Sequence, residues 1–372
     1  MEEKRVLHVY SSWTAGGAEK LMVSLAAALE KRGVKNFIAS PGDSYIYKKA
    51  VELGLAARSL VIRGSFAPGG IAGLYLIVKR DRINILHAHQ GKVFWPCILM
   101  KFIFGKKLKV VFHRHAQLPH RFYSRTHYLF ADGVIAISNA VARGLIDREK
   151  VPEDKVKVVY NGTDFSRFNS GVSGDEVRKS WGLSDKPVIG TVAAMNRPKG
   201  NGQEYLIEAA QIVKIRFPQA KFLIVGTGEI EQDLRKLAKK LGVNHDVVFA
   251  GYQEEVEKFI AAMDIFCFLS WDTEGFGQVM VEAQGLGKPV IGTNIGGIPE
   301  TFKDGVTGIL IPSGDSELLA QMIIRLLSDR EQLTAMGAKA AEFVRENFSL
   351  EKMVDGVLKV YDEITGAGNG KA

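Results

Sequence analysis

Cysteine is almost absent from this chain of 372 residues, which contains only Cys97 and Cys267. The two lie far apart, each within an apolar run, so we expect two buried thiols and not a disulfide-stapled secreted protein. Long hydrophobic runs are also missing, since none approaches the ~18–20 residues that cross a bilayer. The charged opening, residues 1–5, precedes an apolar stretch that is too short for a secretory signal. We therefore expect a cytoplasmic protein.

Acidic residues are scarce between positions 61 and 130, where Asp81 is the only one beside 12 lysines and arginines. Residues 1–170 contain 27 basic and 13 acidic side chains, whereas residues 171–372 contain 22 and 28, and the net charge is +8. Such an imbalance predicts an anionic partner for the first half. No nucleic-acid-binding motif accompanies the charge, so we do not expect nucleic acid as the partner.

Large apolar side chains are interleaved with this basic charge in residues 94–107, FWPCILMKFIFGKK. This pattern is typical of a helix that lies on an anionic membrane surface, and it predicts peripheral association with the inner face of the cell membrane. A helix that packs on the core and ends in a solvated basic turn accounts for the pattern equally well.

Short apolar runs alternate with helical patterns along most of the chain, and the length suits two domains. This alternation predicts an α/β fold with two Rossmann-like, doubly wound domains that face a cleft. We expect the first domain at residues 1–165, the second at 166–349, and a helix at 350–366 that packs back on the first. The predicted strands are 5–10, 36–39, 83–89, 109–112, 133–137, 156–160, 188–193, 222–225, 247–249, 265–268, 290–291 and 308–311.

The segment EGFGQVMVEAQGLGKPVIG places Glu274 and Glu282 eight positions apart around a glycine-containing loop. A helix that begins near Gly277 or Gln278 would leave Glu274 on the loop and Glu282 just over one turn into the helix. Unpaired amides and the helix dipole make such an N-terminus attractive to phosphate, and carboxylates accept hydrogen bonds from sugar hydroxyls. A pair of glutamates on a solvated helix face is the alternative, but the flanking apolar strand and the Gly296-Gly297 turn favour a nucleotide site.

Several ordered motifs resemble those of retaining, nucleotide-sugar-dependent glycosyltransferases of the GT-B fold, family four. They are GGAEK at 16–20, VIAIS at 134–138, VVYNGTD at 158–164, NRPKG at 196–200, IVGTGE at 224–229, the glutamate pair, and the final helix SLEKMVDGVLKVYDEI at 349–364. The resemblance spans nearly the whole chain. It implies a hexosyltransferase that moves a sugar from a nucleotide-diphosphate sugar to a glycan or lipid-linked acceptor of the lipopolysaccharide or cell-envelope type.

The resemblance also assigns roles to residues. Arg197 and Lys199 resemble the basic pair that neutralises the diphosphate as the glycosidic bond breaks. Glu274 resembles the residue that binds donor-sugar hydroxyls, and Glu282 the one that binds the nucleotide ribose. The expected donor contacts also include a set of loop and first-turn residues, namely Gly16, Gly17, Gly226, Gly228, Gly275, Phe276, Gly277, Gln278 and Val279.

His115 resembles the family's active-site histidine at the carboxyl end of a first-domain strand, and His113 is read as structural. No metal or other cofactor is expected. Leu269-Ser270 and the additional residue before Glu274 depart from the family pattern, which leaves the donor sugar open. The nucleotide, the acceptor and its linkage, and the oligomeric state also stay open.

Two alternatives remain at this point. The pairs His87/His89 and His113/His115 could bind zinc in a metal-dependent hydrolase, because strand residues at i and i+2 point the same way. A sugar-nucleotide epimerase, or a binding protein on the same fold, is the second alternative.

Overall fold

The computed structural model describes residues 3–13, 16–116, 126–196 and 201–366. Arg197 and Lys199 therefore lie outside the described residues. The chain forms two compact units, of which the first contains residues 1–162 and 350–372 and the second contains residues 163–349.

The first unit contains a seven-stranded, all-parallel sheet in the order β3-β2-β1-β4-β5-β6-β7. Its elements are β1 (Arg5–Val9), α1 (Gly17–Lys31), β2 (Lys35–Ser40), α2 (Tyr45–Glu52), β3 (Ala56–Ser59), α3 (Pro68–Arg80), β4 (Ile85–Ala88), α4 (Gly91–Phe104), β5 (Lys109–Arg114), α5 (His127–Phe130), β6 (Gly133–Ala136), α6 (Asn139–Arg143), β7 (Val156–Val158) and α14 (Leu350–Thr365).

The second unit contains a six-stranded parallel sheet in the order β10-β9-β8-β11-β12-β13. Its elements are α7 (Asp175–Ser180), β8 (Val188–Val192), α8 (Gln203–Arg216), β9 (Lys221–Val225), α9 (Glu231–Lys240), β10 (Val247–Gly251), α10 (Val256–Ala261), β11 (Ile265–Phe268), α11 (Gln278–Gly285), β12 (Val290–Thr293), β13 (Gly308–Ile311), α12 (Ser316–Ser328) and α13 (Arg330–Asn347).

Helices cover the sheets because the strands are apolar on both faces. Most strand residues in β1, β4, β8 and β11 are fully buried. A parallel strand that is buried on both faces is a continuous apolar run, which is the pattern that the sequence shows. Two Rossmann-like domains are thus confirmed.

The C-terminal helix α14 belongs to the core of the first unit. Val357, Val360 and Tyr361 pack with Val6 of β1 and Ile135 of β6 in one buried cluster. Full burial of each such side chain stabilises a fold by about 1.5–3 kcal/mol. The predicted return of the last helix to the first domain is confirmed.

Strand β3 and helix α3 were not predicted from the sequence. Glycine and proline are poor helix formers, and α3 begins at Pro68 and contains three glycines. A Cβ at Gly70 would lie 3.1 Å from the carbonyl oxygen of Val61, and a Cβ at Gly73 would lie 2.8 Å from Leu60. Helix α3 therefore needs glycine at these two positions in order to pack closely on the preceding loop. The same glycines made the segment look like a loop in the sequence.

In each sheet the connections reverse direction between two neighbouring strands, β1 and β4 in the first unit and β8 and β11 in the second. Ligands of open parallel sheets bind outside the carboxyl ends of strands at such a switch point. We therefore expect the ligand-binding residues on the loops that follow these strands.

Candidate functional site

The loop after β11 is organised around the carboxylate of Glu274. Its Oε1 accepts hydrogen bonds from the backbone N–H groups of Phe276 and Gly277, each at 3.2 Å. Burial raises the pKa of Glu274, while hydrogen bonds from the amides of residues 275–277 oppose that rise. A charge-assisted pair of this kind fixes the loop and orients the carboxylate.

Helix α11 begins where the sequence predicted. Gly277 caps it with φ of 86°, a left-handed conformation that favours glycine. Glu282 lies one turn into the helix and is half-buried. The N–H of Val279, in the first turn, has no acceptor within the helix because the preceding turn is missing. The side chain of Gln278 donates from Nε2 to Thr163 Oγ1 at 2.7 Å.

The turn after β12 packs against the backbone of the Glu274 loop. The N–H of Gly297 donates to the carbonyl oxygen of Glu274 at 3.0 Å. A Cβ at Gly296 would lie 1.9 Å from that oxygen, and one at Gly297 would lie 2.3 Å from the carbonyl oxygen of Gly275. Both positions exclude a side chain, so this glycine pair brings two backbone segments into contact.

Gly226 and Gly228 follow β9 and lie against the loop after β8. A Cβ at Gly226 would lie 2.2 Å from the carbonyl oxygen of Ala193, and one at Gly228 would lie 2.2 Å from that of Met195. Packing between these loops therefore accounts for both glycines, and their contact with a ligand stays a prediction.

The described residues on either side of Arg197 and Lys199 are tightly held. Asn201 donates from Nδ2 to the carbonyl oxygen of Ala194 at 2.9 Å, and its N–H donates to Gln203 Oε1 at 2.8 Å. Gln203 is fully buried and begins α8. The described residues that flank the expected basic pair are thus joined by hydrogen bonds just after β8.

Gly16 caps helix α1, and Gly17 is the first residue of that helix. The N–H of Gly16 donates to Glu19 Oε2 at 3.1 Å. A Cβ at Gly17 would meet no other atom within 4 Å. Packing within the first unit therefore does not require glycine at position 17, and its role in ligand binding stays a prediction.

Five histidines meet inside the first unit at the switch point. His8 lies in β1, His87 and His89 lie in and just after β4, and His113 and His115 lie in and just after β5. Neighbouring strands place His8 opposite His87 and pair β4 with β5. The strand order was needed to find this cluster, since the sequence shows only two His-X-His pairs.

Hydrogen bonds join the histidines into two chains. The first runs from Asn36 through His8 and His89 to His115, with successive separations of 3.1, 3.1 and 3.2 Å. The second runs from Tyr361 through His87 to His113, with separations of 2.6 and 3.2 Å. We call these the Asn36 chain and the Tyr361 chain.

All five imidazoles are held in the neutral form. Burial lowers the pKa of His8 to about 4, and burial with the charge of Arg114 lowers that of His115 to about 4. Burial and the neighbouring imidazoles together lower the pKa values of His87, His89 and His113 well below the ordinary range. These rings therefore act through N–H donors and nitrogen lone pairs and not through charge.

The cluster also brings together nitrogens from two sets of three histidines, each set within 4.8 Å: His8, His87 and His89, and His89, His113 and His115. Each of the five rings already uses a nitrogen in the two hydrogen-bonded chains. The rings of His87 and His89 are stacked, at 4.3 Å and 26°. The nitrogen lone pairs of an imidazole lie in the plane of its ring, so the lone pairs of two stacked rings do not converge on one point. This arrangement therefore suits hydrogen-bonded chains better than a shared metal ion.

No described helix is both long enough and apolar enough to cross a membrane. Helix α4 buries one face, including Phe94, and exposes Phe102 and Ile103 at its C-terminal end. The core-packing reading of the basic, aromatic segment accounts for the buried face of this helix, whereas membrane association stays a prediction.

Two family models match the chain. The model described as Glycosyltransferase Family 4 matches residues 15–167, and that described as Glycosyl transferases group 1 matches residues 173–343. Among curated proteins, the N-acetyl-alpha-D-glucosaminyl L-malate synthase of Bacillus anthracis is 31% identical over 305 residues, which cover 79% of each chain. The lipopolysaccharide core biosynthesis glycosyltransferase LpsE of Rhizobium meliloti is 27% identical and covers 93% of this chain and 95% of its own.

Solved structures agree on the fold. HepE of Anabaena, solved in complex with UDP, superposes with a TM-score of 0.86 at 23% identity, over 96% of this chain and all of its own. A glycosyltransferase from Rickettsia africae superposes with a TM-score of 0.87 at 22% identity, over 98% and 99% of the two chains. At these identities the likeness establishes the architecture alone. None of these comparisons supports a hydrolase or an epimerase.

Proposed function

Because this chain belongs to the group 1 glycosyltransferases and has the GT-B fold, we propose that it transfers a sugar from a nucleoside-diphosphate sugar with retention of configuration. The acceptor in this proposal is a glycan or a lipid-linked glycan. The observation that carries the proposal is the Glu274 loop, where an oriented carboxylate, a helix N-terminus and a second carboxylate follow one another within nine residues.

The donor binds along this segment in order. Glu274 accepts from hydroxyls of the sugar, because the amides of Phe276 and Gly277 hold its Oε1 and so orient the carboxylate. The positive end of α11 and the first-turn amide of Val279 bind the diphosphate. Glu282, one turn further along, accepts from the ribose hydroxyls. HepE was solved with UDP, which supports a uridine nucleotide as the first donor to test.

Arg197 and Lys199 stabilise the leaving diphosphate in this proposal. The bond between the anomeric carbon and the phosphate oxygen breaks as the acceptor oxygen bonds the same face of the sugar, and negative charge grows on the diphosphate. Fixed cations near that charge lower the barrier most when they need not move during the reaction. The two side chains would supply the positive charge without a divalent metal.

One relative is named as a lipopolysaccharide core biosynthesis glycosyltransferase and another as a phosphatidylinositol monomannoside mannosyltransferase, and these names support a lipid-linked acceptor. The first unit offers a surface that fits one, which we call the α4–α5 patch. Its exposed members are Leu99, Phe102, Ile103, Leu129 and Phe130, with Lys106 and Lys107 beside them. Apolar side chains beside lysines match the boundary between acyl chains and anionic headgroups.

Vesicle sedimentation tests this patch. We expect the wild-type protein to sediment with vesicles that contain anionic phospholipid and not with zwitterionic vesicles, and Phe102→Ser/Ile103→Ser to remain in the supernatant. Ile215 on α8 is 83% exposed and belongs to the second unit, so Ile215→Ser is the matched control. Equal binding by all three proteins would remove the patch from the proposal.

A panel of nucleoside-diphosphate sugars tests the function as a whole. A bound donor raises the melting temperature in proportion to its occupancy. We expect one base and sugar to stabilise the protein more than the others, with and without EDTA. NMR of the product formed from that donor should show the donor's anomeric configuration. Stabilisation by no member of the panel, or an inverted product, would contradict the proposal.

A further inference from the structure

The Asn36 chain has a defined direction, which is set at Asn36. The Nδ2 group of Asn36 donates to the carbonyl oxygen of Val34 at 2.8 Å and to Glu30 Oε2 at 3.3 Å. Those two acceptors fix the side-chain amide, so Oδ1 faces His8. A carbonyl oxygen only accepts. The Nε2 of His8 therefore carries a hydrogen, and its Nδ1 is an acceptor because the ring is neutral.

The direction then passes along the chain. His8 Nδ1 accepts from Nε2–H of His89 at 3.1 Å. The Nδ1 of His89 is consequently an acceptor, and it accepts from Nε2–H of His115 at 3.2 Å. One nitrogen of His115 is left, Nδ1, and it carries a lone pair and no hydrogen. This atom is buried and has no partner among the described residues.

The Tyr361 chain is directed by a donor. The ring of Tyr361 is fully buried, and burial raises the pKa of its hydroxyl well above the ordinary value, so it keeps its hydrogen. Within the described residues its only hydrogen-bond partner is His87 Nδ1, at 2.6 Å. A buried O–H that failed to donate would cost about 1–3 kcal/mol, so this O–H donates to His87.

His87 must then donate from Nε2 to Nδ1 of His113, at 3.2 Å. The remaining nitrogen of His113, Nε2, carries a hydrogen. It too is buried and lacks a partner among the described residues. The rings of His113 and His115 are stacked at 4.4 Å and 16°. The Asn36 chain thus ends in an acceptor at His115, and the Tyr361 chain ends in a donor at the neighbouring ring of His113.

We propose that Asn36, His8 and His89 are positioning residues that fix His115 Nδ1 as a hydrogen-bond acceptor, while Tyr361 and His87 fix His113 Nε2 as a donor. The rings are polarised along each chain, because every imidazole that donates at Nε2 becomes a better acceptor at Nδ1. A sugar hydroxyl can both donate and accept a hydrogen bond, so it is complementary to the acceptor at His115 Nδ1 and the donor at His113 Nε2. This last step rests on the proposed function, whereas the direction of the chains does not.

NMR of histidine labelled with ¹⁵N tests the direction in the wild-type protein, with signals assigned by single His→Gln variants. At pH 7 we expect all five rings to be neutral with the hydrogen on Nε2. Couplings across the hydrogen bonds should join His8 to His89, His89 to His115, and His87 to His113. A hydrogen on His115 Nδ1, a charged ring, or the absence of these couplings would overturn the proposal.

Two variants of similar volume test the two ends separately. In Asn36→Leu, either direction of the Asn36 chain leaves one donor and one acceptor unpaired, so the reversed chain becomes populated. The His115 Nδ1 signal should move toward the value of a protonated nitrogen, and His113 should not change. Tyr361→Phe should shift His113 and leave His115 unchanged. Equal disturbance of both chains by each variant would show that the two residues act through packing alone.

Glu30→Gln is the control for Asn36, since Glu30 is exposed and, in this variant, the carbonyl oxygen of Val34 still accepts from Asn36 Nδ2. Its spectrum should keep all the couplings. Once a donor is known, Asn36→Leu should lower kcat about tenfold with little change in the donor KM, and Glu30→Gln should not. Unchanged kcat in Asn36→Leu, with His115 shifted, would reject the hydroxyl contact but leave the chain direction standing.

Discussion

The carboxylate of Glu274 lies 3.2 Å from the backbone nitrogen of Gly277, the residue that caps helix α11. One side chain therefore both shapes the approach to the helix and presents an acceptor at its positive end. The same position also joins this loop to the turn after β12 through Gly297. Glu274 thus both holds the loop in place and presents an acceptor to a ligand. Variants of Glu274 can distinguish the effect on loop stability from the effect on turnover.

Glu274→Gln should lower turnover about 10- to 100-fold while the melting temperature stays within a few degrees of wild type. A glutamine oxygen still accepts from the loop amides, but it lacks the charge that makes a hydrogen bond to a sugar hydroxyl worth about 1.5–3 kcal/mol and not about 0.5–1.5 kcal/mol. Steady-state kinetics and thermal unfolding measure the two effects. Asp272→Asn is the control, since this exposed carboxylate lies two residues earlier. Equal loss of turnover in both variants would count against the role of Glu274.

Glu282→Ala should raise the donor KM about tenfold and leave kcat within a factor of about three. The ribose is distant from the bond that breaks, so contacts to it stabilise the bound substrate and the transition state alike. Glu282→Gln keeps one acceptor oxygen and should give an intermediate KM. A fall in kcat with an unchanged KM would assign Glu282 to the reaction itself.

Arg197→Ala and Lys199→Ala should each lower kcat, and the double variant should lower it about 100-fold or more, because the lost charge acts where negative charge develops. Initial rates at saturating donor measure this. Lys236→Ala is the control, since this side chain is 79% exposed on α9. Normal turnover in the double variant would reject the assigned role of the pair.

Acid should destabilise the first unit through its histidines. The pKa of His8 is lowered from 6.5 to about 4 in the folded state. Between those values the unfolded chain binds a proton that the folded chain does not, so stability is retained above pH 6.5 and falls as the pH drops toward 4. His8 alone accounts for about 3 kcal/mol of this loss.

Hydrogen exchange of β1 and β4 between pH 7 and pH 4 measures this loss once the intrinsic pH dependence of exchange is corrected. His8→Gln should weaken the dependence on pH, and His245→Gln, an exposed residue of the second unit, should preserve it. Protection that is independent of pH in the wild-type protein would contradict neutral burial of the cluster.

Every strand except β3, and most helices, could be predicted because their buried faces leave apolar runs or stripes in the sequence. The start of α11 was predicted near Gly277 or Gln278, and the structure places Gly277 at the cap with a left-handed φ of 86°, which favours glycine. Helix α3 could not be predicted, because tertiary contacts at Gly70 and Gly73 decide it. The histidine chains also could not, because His8, His87 and His113 become neighbours only through the strand order β1-β4-β5.

A crystal structure with a nucleoside-diphosphate sugar tests the central claim most directly. The account predicts the diphosphate within hydrogen-bond distance of the first-turn amides of α11, the ribose hydroxyls against Glu282, and the sugar hydroxyls against Glu274. An ordered donor that contacts neither glutamate nor the start of α11 would contradict it.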